Sequence, residues 1–228
     1  MRLSKFLSLC VAMSRNQAKY FVRRGRIAVD GTVVIDPEFD VADGSRVTFD
    51  GKPMSIAGFE YIVLHKPLAF GCTTRDTAHP SVLALLEDRA GDRYYYYANL
   101  LGPEVTGLVL LSDDARWTQR IKRRLEKKPR VYLATTSRPV EPDQLEALRA
   151  RVGSDTQHGD SPVLDVRGQG DTTLAVTMRQ ASVNCIEALL AGVGLSLDRL
   201  HLQQLGRLGL GDLREGAYRV CGETDIRI

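Results

Sequence analysis

The sequence predicts an α+β protein in which a small N-terminal module of two helices and a hairpin precedes a larger domain. Helical periodicity in the first 25 residues gives way to alternation around an Asp-Gly pair. From residue 60 onward, short apolar segments of strand length are interspersed with a few helix-length segments. A chain of 228 residues suits one ordinary domain plus a small module. We therefore expect domains at residues 1–52 and 60–228, joined by a linker at 53–59.

The N-terminal module is predicted element by element. Apolar residues at helical spacing indicate a first helix, namely Leu3, Phe6, Leu7 and Cys10. A second helix is expected after Ser14, because Gln17 three residues later completes a capping box. Residues 27–34 alternate around Asp-Gly, the strongest short-range signal for a hairpin. Further short strands are indicated by Val41, Val47 and Phe49, and residues 51–58 are expected to form a hinge.

Two basic clusters stand out in a chain whose net charge is only +3. The first, within residues 1–29, contains no acidic residue and consists of Arg2, Lys5, Arg15, Lys19, Arg23, Arg24 and Arg26. The second lies between residues 120 and 130 and includes Lys122, Arg123, Arg124, Lys127 and Lys128. Such clusters are the expected footprint of a polyanion-binding surface, and a solvated helix face is the alternative.

Several classes of protein are disfavoured by composition. The four cysteines form no C-x-x-C pair and the four histidines are dispersed, so we expect neither a disulfide framework nor a metal site. No apolar run approaches the ~20 residues that span a bilayer, so we expect no membrane association. The apolar residues 6–13 are followed by a polar Ser-Arg-Asn-Gln sequence and not by a small-residue cleavage site. We therefore expect a cytoplasmic protein.

The larger domain is predicted to contain strands and helices in the following order. Strands are expected at residues 61–64, in the apolar run that precedes Asp113, and at 130–135, 163–166 and 174–178, the last two as an antiparallel pair. Helices are expected near Pro80, at 117–125, at 142–152 and from Ser182 to Val193.

The segment from Asn99 to Asp114 resembles the central motif of the pseudouridine synthases that modify small-subunit ribosomal RNA. In that family the loop reads Gly-Arg-Leu-Asp and is followed by Thr-Gly-Leu and an apolar strand. Alignment on Thr106-Gly107-Leu108 places Gly102 at the catalytic Asp and Leu100 at the Arg that pairs with it. Residues 2–50 similarly resemble the S-four-type RNA-binding module, for which a plain amphipathic helical cap is the alternative. Further motifs are matched by His65-Lys66-Pro67, Arg130-Val131-Tyr132 and Leu200–Gly206.

This resemblance implies an S-four-like module followed by a pseudouridine synthase domain with a largely antiparallel mixed sheet. The implied partner is RNA, most simply small-subunit ribosomal RNA or its assembly intermediates, and we expect a monomer. No cofactor is implied, because isomerisation of uridine only rearranges the substrate's own atoms. The family uses the Asp for chemistry and places a Tyr, here Tyr132 with Arg130 two residues before it, in the pocket that receives the flipped base.

The residues that should carry the chemistry are replaced. Gly102 has no side chain with which to attack or exchange a proton, and Leu100 cannot form the ion pair. The two changes are consistent with each other if position 100 is buried, because a buried Arg without its carboxylate would be an uncompensated charge. A polar stretch of the family is also replaced by Ser182-Val183-Asn184-Cys185. We therefore predict an RNA-binding protein that lacks isomerase activity.

Three questions stay open at this level. Glu104 could substitute for the missing Asp, although in an extended segment it would stand roughly 6–7 Å away. Tyr132 could stack on a base or simply fill the core, and the run Tyr94–Tyr97 could contact RNA or decorate a sheet edge. A protein-interaction module without an RNA role is disfavoured by the two basic clusters.

Overall fold

The computed structural model describes residues 1–11, 13–54, 58–73, 78–86, 93–152, 162–179 and 183–228. Internal contacts divide the chain into two compact units. The first is built on residues 1–59 and includes Arg93, Tyr94 and Asp113–Ala115, and the second is built on the remainder. Within the described ranges, no helix is long and apolar enough to cross a membrane.

The first unit contains two helices and a four-stranded antiparallel sheet in the order β2-β1-β3-β4. Its elements are α1 (Leu3–Cys10), α2 (Arg15–Arg23), β1 (Ile27–Val29), β2 (Thr32–Val33), β3 (Val47–Phe49) and β4 (Lys52–Met54). The predicted capping box is confirmed, because Gln17 N donates to Ser14 Oγ at 3.2 Å and Ser14 N donates to Gln17 Oε1 at 2.8 Å. Asp30 and Gly31 adopt positive φ, the conformation of the two-residue turn predicted for the hairpin.

One expectation for this unit is wrong. Residues 52–54, predicted as part of a hinge, form β4 at the edge of the sheet and pair with β3. The reason is the preceding Asp50-Gly51 turn, where both residues have positive φ and reverse the chain into a hairpin. Pro53 is tolerated because β4 is an edge strand. Residues 55–57 of the expected hinge lie outside the described residues.

The second unit is built on a nine-stranded sheet with the path β13-β5-β7-β11-β8-β10-β9. Its strands are β5 (Tyr61–Lys66), β6 (Tyr96–Tyr97), β7 (Val105–Ser112), β8 (Arg130–Thr136), β9 (Val163–Gly168), β10 (Thr173–Met178), β11 (Leu197–Leu205), β12 (Leu208–Gly209) and β13 (Tyr218–Cys221). Only the β7–β11 pair is parallel among the described strands. The expected largely antiparallel mixed sheet is therefore confirmed.

Helices of this unit are α3 (Ala115–Leu125), α4 (Pro142–Arg151) and α5 (Val183–Ala191). In place of the helix expected to open at Pro80, the described residues contain a short 3₁₀ segment, Val82–Leu86. Its start is held by Ser81, whose hydroxyl accepts from Leu83 N. The predicted helix cap at Ser182 lies outside the described residues.

Strand β7 forms the centre of this unit, and all eight of its residues are buried. Gly107 has φ +119°, and a Cβ added there would lie 2.6 Å from Leu202 N and 2.8 Å from Leu202 C. The backbones of β7 and β11 therefore approach so closely at Gly107 that only glycine fits. The Thr-Gly-Leu motif thus has a structural role that does not depend on chemistry.

Candidate functional site

A cleft of about 130 Å³ opens at the start of β7 in the second unit. It is lined by Leu100, Leu101, Gly102, Val105, Tyr132, Val183, Ile186 and Leu200. Four elements thus meet at one cavity, namely the loop before β7, the middle of β8, the first turn of α5, and β11. Among the described lining residues, the Tyr132 hydroxyl is the one polar side-chain group, so the cleft is an apolar pocket.

The loop that forms one wall of the cleft is fixed at several points. Asn99 is buried and bridges to β7, donating to Leu108 O at 2.9 Å while its Oδ1 accepts from Leu110 N at 2.9 Å. Farther along, Ala69 N donates to Pro103 O at 2.9 Å. These bonds hold Gly102 in a defined position beside Tyr132.

The position of Glu104 differs from the sequence expectation. Residues 102–105 form a turn closed by a hydrogen bond from Val105 N to Gly102 O at 3.2 Å, so the assumed extended segment and its 6–7 Å separation are wrong. A Cβ built on Gly102 would lie only 2.6 Å from the Glu104 carboxyl carbon. The turn follows from the Gly-Pro pair, and it places the exposed Glu104 carboxylate in the space above Gly102.

Leu100 also stands in an unexpected environment. Its side chain is 59% exposed at the rim of the cleft. Position 100 is therefore not a buried site at which an unpaired Arg would carry a large desolvation cost. The replacement of Arg by Leu at this position lacks that electrostatic explanation.

Tyr132 and Arg130 lie on β8 but have different surroundings. Tyr132 is 4% exposed and lines the cleft, and burial, opposed by the charge of Arg130, raises its pKa to about 12. Arg130 does not belong to the lining, because its guanidinium donates to Arg179 O at 2.8 Å. The structure thus brings Gly102 and Tyr132 together and directs Arg130 elsewhere.

Lys66 is a feature of this region that sequence reasoning missed. It is fully buried at the end of β5, and its ammonium donates to Pro67 O at 3.0 Å. Burial lowers its pKa, against the opposing influence of Cys72, Glu104 and Glu215. Beyond the motif His65-Lys66-Pro67, no signal of this burial was available in the sequence, because a lysine at a strand end ordinarily extends its ammonium to water.

His201 has partners in the sheet. Its Nδ1 lies 3.0 Å from Thr106 Oγ1, and its ring packs edge-on against His65 at 5.1 Å between centroids. Burial, followed by the charge of His65, lowers the pKa of His201 to about 4. A neutral imidazole at this position suits packing more than proton transfer near neutral pH.

The N-terminal basic cluster contains two kinds of cation. Arg2 lies 3.4 Å from Asp40, Lys19 lies 3.2 Å from Glu38, and Arg26 forms an ion pair with Asp50 that lowers the pKa of that carboxyl. Within the described part of the chain, four other cations make no ion pair, namely Lys5, Arg15, Arg23 and Arg24. These four are the better candidates for phosphate contacts.

The second cluster lies on α3 and the turn after it. Trp117, Ile121 and Leu125 form the buried face of α3. On the opposite side stand exposed cations without an ion pair in the described residues, namely Lys122, Arg123, Arg124, Lys127 and Lys128. By contrast, Arg120 pairs with Glu223.

The side chains of the Tyr94–Tyr97 run do not alternate between buried and exposed. Tyr95 is 2% exposed and donates to Glu60 Oε2 at 2.6 Å, and Tyr97 donates to Thr73 O at 3.0 Å. Tyr94 is exposed, whereas Tyr96 and Tyr97 are half-buried. The run is therefore mostly committed to contacts within the protein.

Comparisons with known proteins agree with this architecture. Residues 1–59 match the S4 domain. The ribosomal small subunit pseudouridine synthase A of Escherichia coli is 31% identical, with 99% of this chain and 98% of that protein aligned. The chain belongs to the family of ribosomal small subunit pseudouridine synthases. The Vibrio parahaemolyticus protein of the same name is 28% identical over 99% of this chain and 98% of its own length.

A solved structure supports the fold. The crystal structure of a pseudouridylate synthase superposes with a TM-score of 0.60 at 24% identity, covering 99% of this chain and 97% of that one. Family membership, the S4 domain and the mixed sheet were all expected from the sequence motifs, and these expectations are confirmed.

Proposed function

We propose that this chain is a cytoplasmic, monomeric protein that binds small-subunit ribosomal RNA or its assembly intermediates and does not isomerise uridine. In this proposal the N-terminal module, whose sheet ends with β4, binds RNA, and residues 60–228 provide a synthase scaffold without the reaction. The protein would act by holding or remodelling RNA during ribosome assembly. No cofactor is required for that role.

The proposal rests on the identity of the side chains that line the cleft. Gly102 faces the cavity beside Tyr132 without a functional group, and the first turn of α5 contributes Val183 and Ile186. Converting uridine to pseudouridine requires a group that attacks or exchanges a proton at the reacting atoms. An apolar cavity with one tyrosine can still accommodate a base, because stacking requires only a flat apolar face, worth about 1–3 kcal/mol.

Binding to RNA is supported by the exposed cations of the N-terminal cluster that make no ion pair within the described residues. Each phosphate that a lysine or arginine neutralises releases counterions, so affinity should fall steeply as salt rises. We expect Arg23→Ala to reduce the slope of log affinity against log salt by about 1. Arg2→Ala is the matched control, because Arg2 is already paired with Asp40 and Glu38.

The experiment is a salt titration of binding to a transcript of small-subunit ribosomal RNA. The proposal predicts strong salt dependence for the wild-type protein, a reduced slope for Arg23→Ala and a nearly unchanged slope for Arg2→Ala. Binding that does not respond to salt, or no binding at all, would contradict the RNA role.

A second candidate function rests on the placement of Glu104. Its carboxylate occupies the space above Gly102, and buried Lys66 is influenced by its charge. In this alternative Glu104 replaces the missing Asp in an active synthase. Against it, Glu104 is exposed and does not line the cleft with Tyr132. A misplacement of even ~1 Å can reduce a rate about 100-fold.

The two candidates give different results for Glu104→Gln. An active synthase that uses Glu104 should lose isomerisation in this variant and keep its RNA affinity. The matched control is Glu146→Gln, which removes an exposed carboxylate on α4. If the wild-type protein has no activity to lose, the second candidate is excluded.

A further inference from the structure

An exposed tyrosine stands among the cations of α2. The Tyr20 side chain is 55% exposed, although its ring is positioned by an edge-on contact with Phe21 at 5.4 Å between centroids. Phe21 in turn packs edge-on against Phe49 at 5.2 Å. These ring contacts fix the position of the Tyr20 ring, which presents a flat apolar surface to solvent.

A concavity of about 370 Å³ adjoins this ring. It is lined by Asn16, Lys19, Tyr20, Arg23 and Arg24. Among these described lining residues none is acidic, and α2 itself contains no acidic residue. The Arg24 guanidinium stands 5.2 Å from the centroid of the Tyr20 ring. The site thus offers one ligand an aromatic face, an amide and two cations that make no ion pair in the described residues, Arg23 and Arg24. Lys19, which also lines it, is paired with Glu38.

The arrangement is suited to a ligand that is both flat and anionic. Cations near a helix C-terminus stabilise its dipole, which accounts for Arg23 and Arg24 but not for an exposed ring beside them. An inorganic anion would use the guanidinium groups and leave the ring without a role. A nucleotide uses both, because its base stacks on an aromatic or guanidinium plane while its phosphates contact cations.

We propose that Tyr20 is the stacking platform of a subsite for an unpaired nucleotide, with the flanking phosphates held by Arg23 and Arg24. This inference rests on the proposed function, since it assumes that the chain binds RNA, and it specifies single-stranded loops or bulges as the preferred target of the N-terminal module. Bases within a duplex are stacked on one another and cannot reach the Tyr20 ring.

The test uses the full chain and two RNA probes. One is a hairpin whose loop consists of unpaired uridines with one 2-aminopurine, and the other is a fully paired duplex of equal length. Tyr20→Leu removes the aromatic face and Tyr20→Phe retains it, and both changes are at a side chain that is mostly exposed. Circular dichroism confirms that the variants are folded.

We expect Tyr20→Leu to weaken hairpin binding by roughly 5- to 150-fold, with little effect on the duplex. The salt slope should not change, because no cation is removed. Tyr20→Phe should bind like the wild-type protein and quench the 2-aminopurine equally. If the wild-type protein binds with a salt slope but Tyr20→Leu keeps its hairpin affinity, the subsite is refuted while the RNA role stands. Equal losses in Leu and Phe variants, or equal affinity of the wild-type protein for hairpin and duplex, would also refute it.

Discussion

Gly107→Ala should strongly destabilise the second unit, although it adds a single methyl group. Gly107 has φ +119°, where an L-residue is strained by about 1–3 kcal/mol. The new Cβ would also meet Leu202 N at 2.6 Å and Leu202 C at 2.8 Å, which are backbone atoms of the neighbouring central strand. Neither strand can move without disturbing the fully buried β7, so overpacking adds about 1–3 kcal/mol.

The sum, about 2–6 kcal/mol, is a large fraction of the ~5–15 kcal/mol that stabilises a typical domain. Urea denaturation followed by the fluorescence of Trp117 measures it, because this is the only tryptophan of the sequence and it is buried in the second unit. At a slope of about 2 kcal/mol per molar urea, we expect the midpoint to fall by roughly 1–3 M.

Gly216→Ala is the matched control for this prediction. Gly216 also has positive φ, at +81°, but a Cβ there meets nothing within 4 Å. The control should therefore lose only the backbone strain, about 1–2 kcal/mol. If Gly107→Ala costs no more than Gly216→Ala, the close approach of β7 and β11 does not explain why glycine stands at position 107.

Three further predictions concern stability and reactivity. Ser14→Ala removes the cap of α2 and should cost about 1 kcal/mol of unfolding free energy in urea titrations, whereas Ser8→Ala, at a half-buried position within α1 that is not a cap, should cost less. Because His201 has its pKa lowered to about 4 from 6.5, the unfolded chain binds a proton between these pH values that the folded chain does not. Wild-type stability should therefore fall as pH decreases from 6.5 towards 4, and His201→Gln should flatten that part of the profile. Cys10 has its pKa raised to about 12 by burial, so its alkylation at pH 8 should be far slower in the folded protein than in urea, and equal rates would contradict its burial.

Much of the fold could be predicted from local patterns in the sequence. The capping box at Ser14 and the Asp-Gly hairpin depend on residues only a few positions apart, and both appear as expected. The apolar run within β7, Leu108–Leu111, was recognisable because a strand buried on both faces lacks alternation. The β4 strand was missed because Gly51 and Pro53 read as a linker until the pairing with β3 is known.

The candidate site was predicted less completely because it depends on long-range geometry. The family alignment predicted that Gly102 lies near Tyr132. The position of the Glu104 carboxylate above Gly102 was not predicted, because it depends on the turn at residues 102–105 and on the hydrogen bond from Ala69 N to Pro103 O. The full burial of Lys66 depends likewise on residues far away in sequence. The exposure of Leu100 reversed an argument that assumed it to be buried.

The central claim is that this protein keeps the synthase fold but does not isomerise uridine. The most direct test measures the release of tritium from small-subunit ribosomal RNA labelled at carbon five of uridine. The positive control is a Leu100→Arg/Gly102→Asp/Glu104→Gln variant, in which the last change removes a carboxylate that would repel the restored Asp. The account predicts no release by the wild-type protein under conditions in which it binds the RNA. Release by the wild-type protein would contradict it.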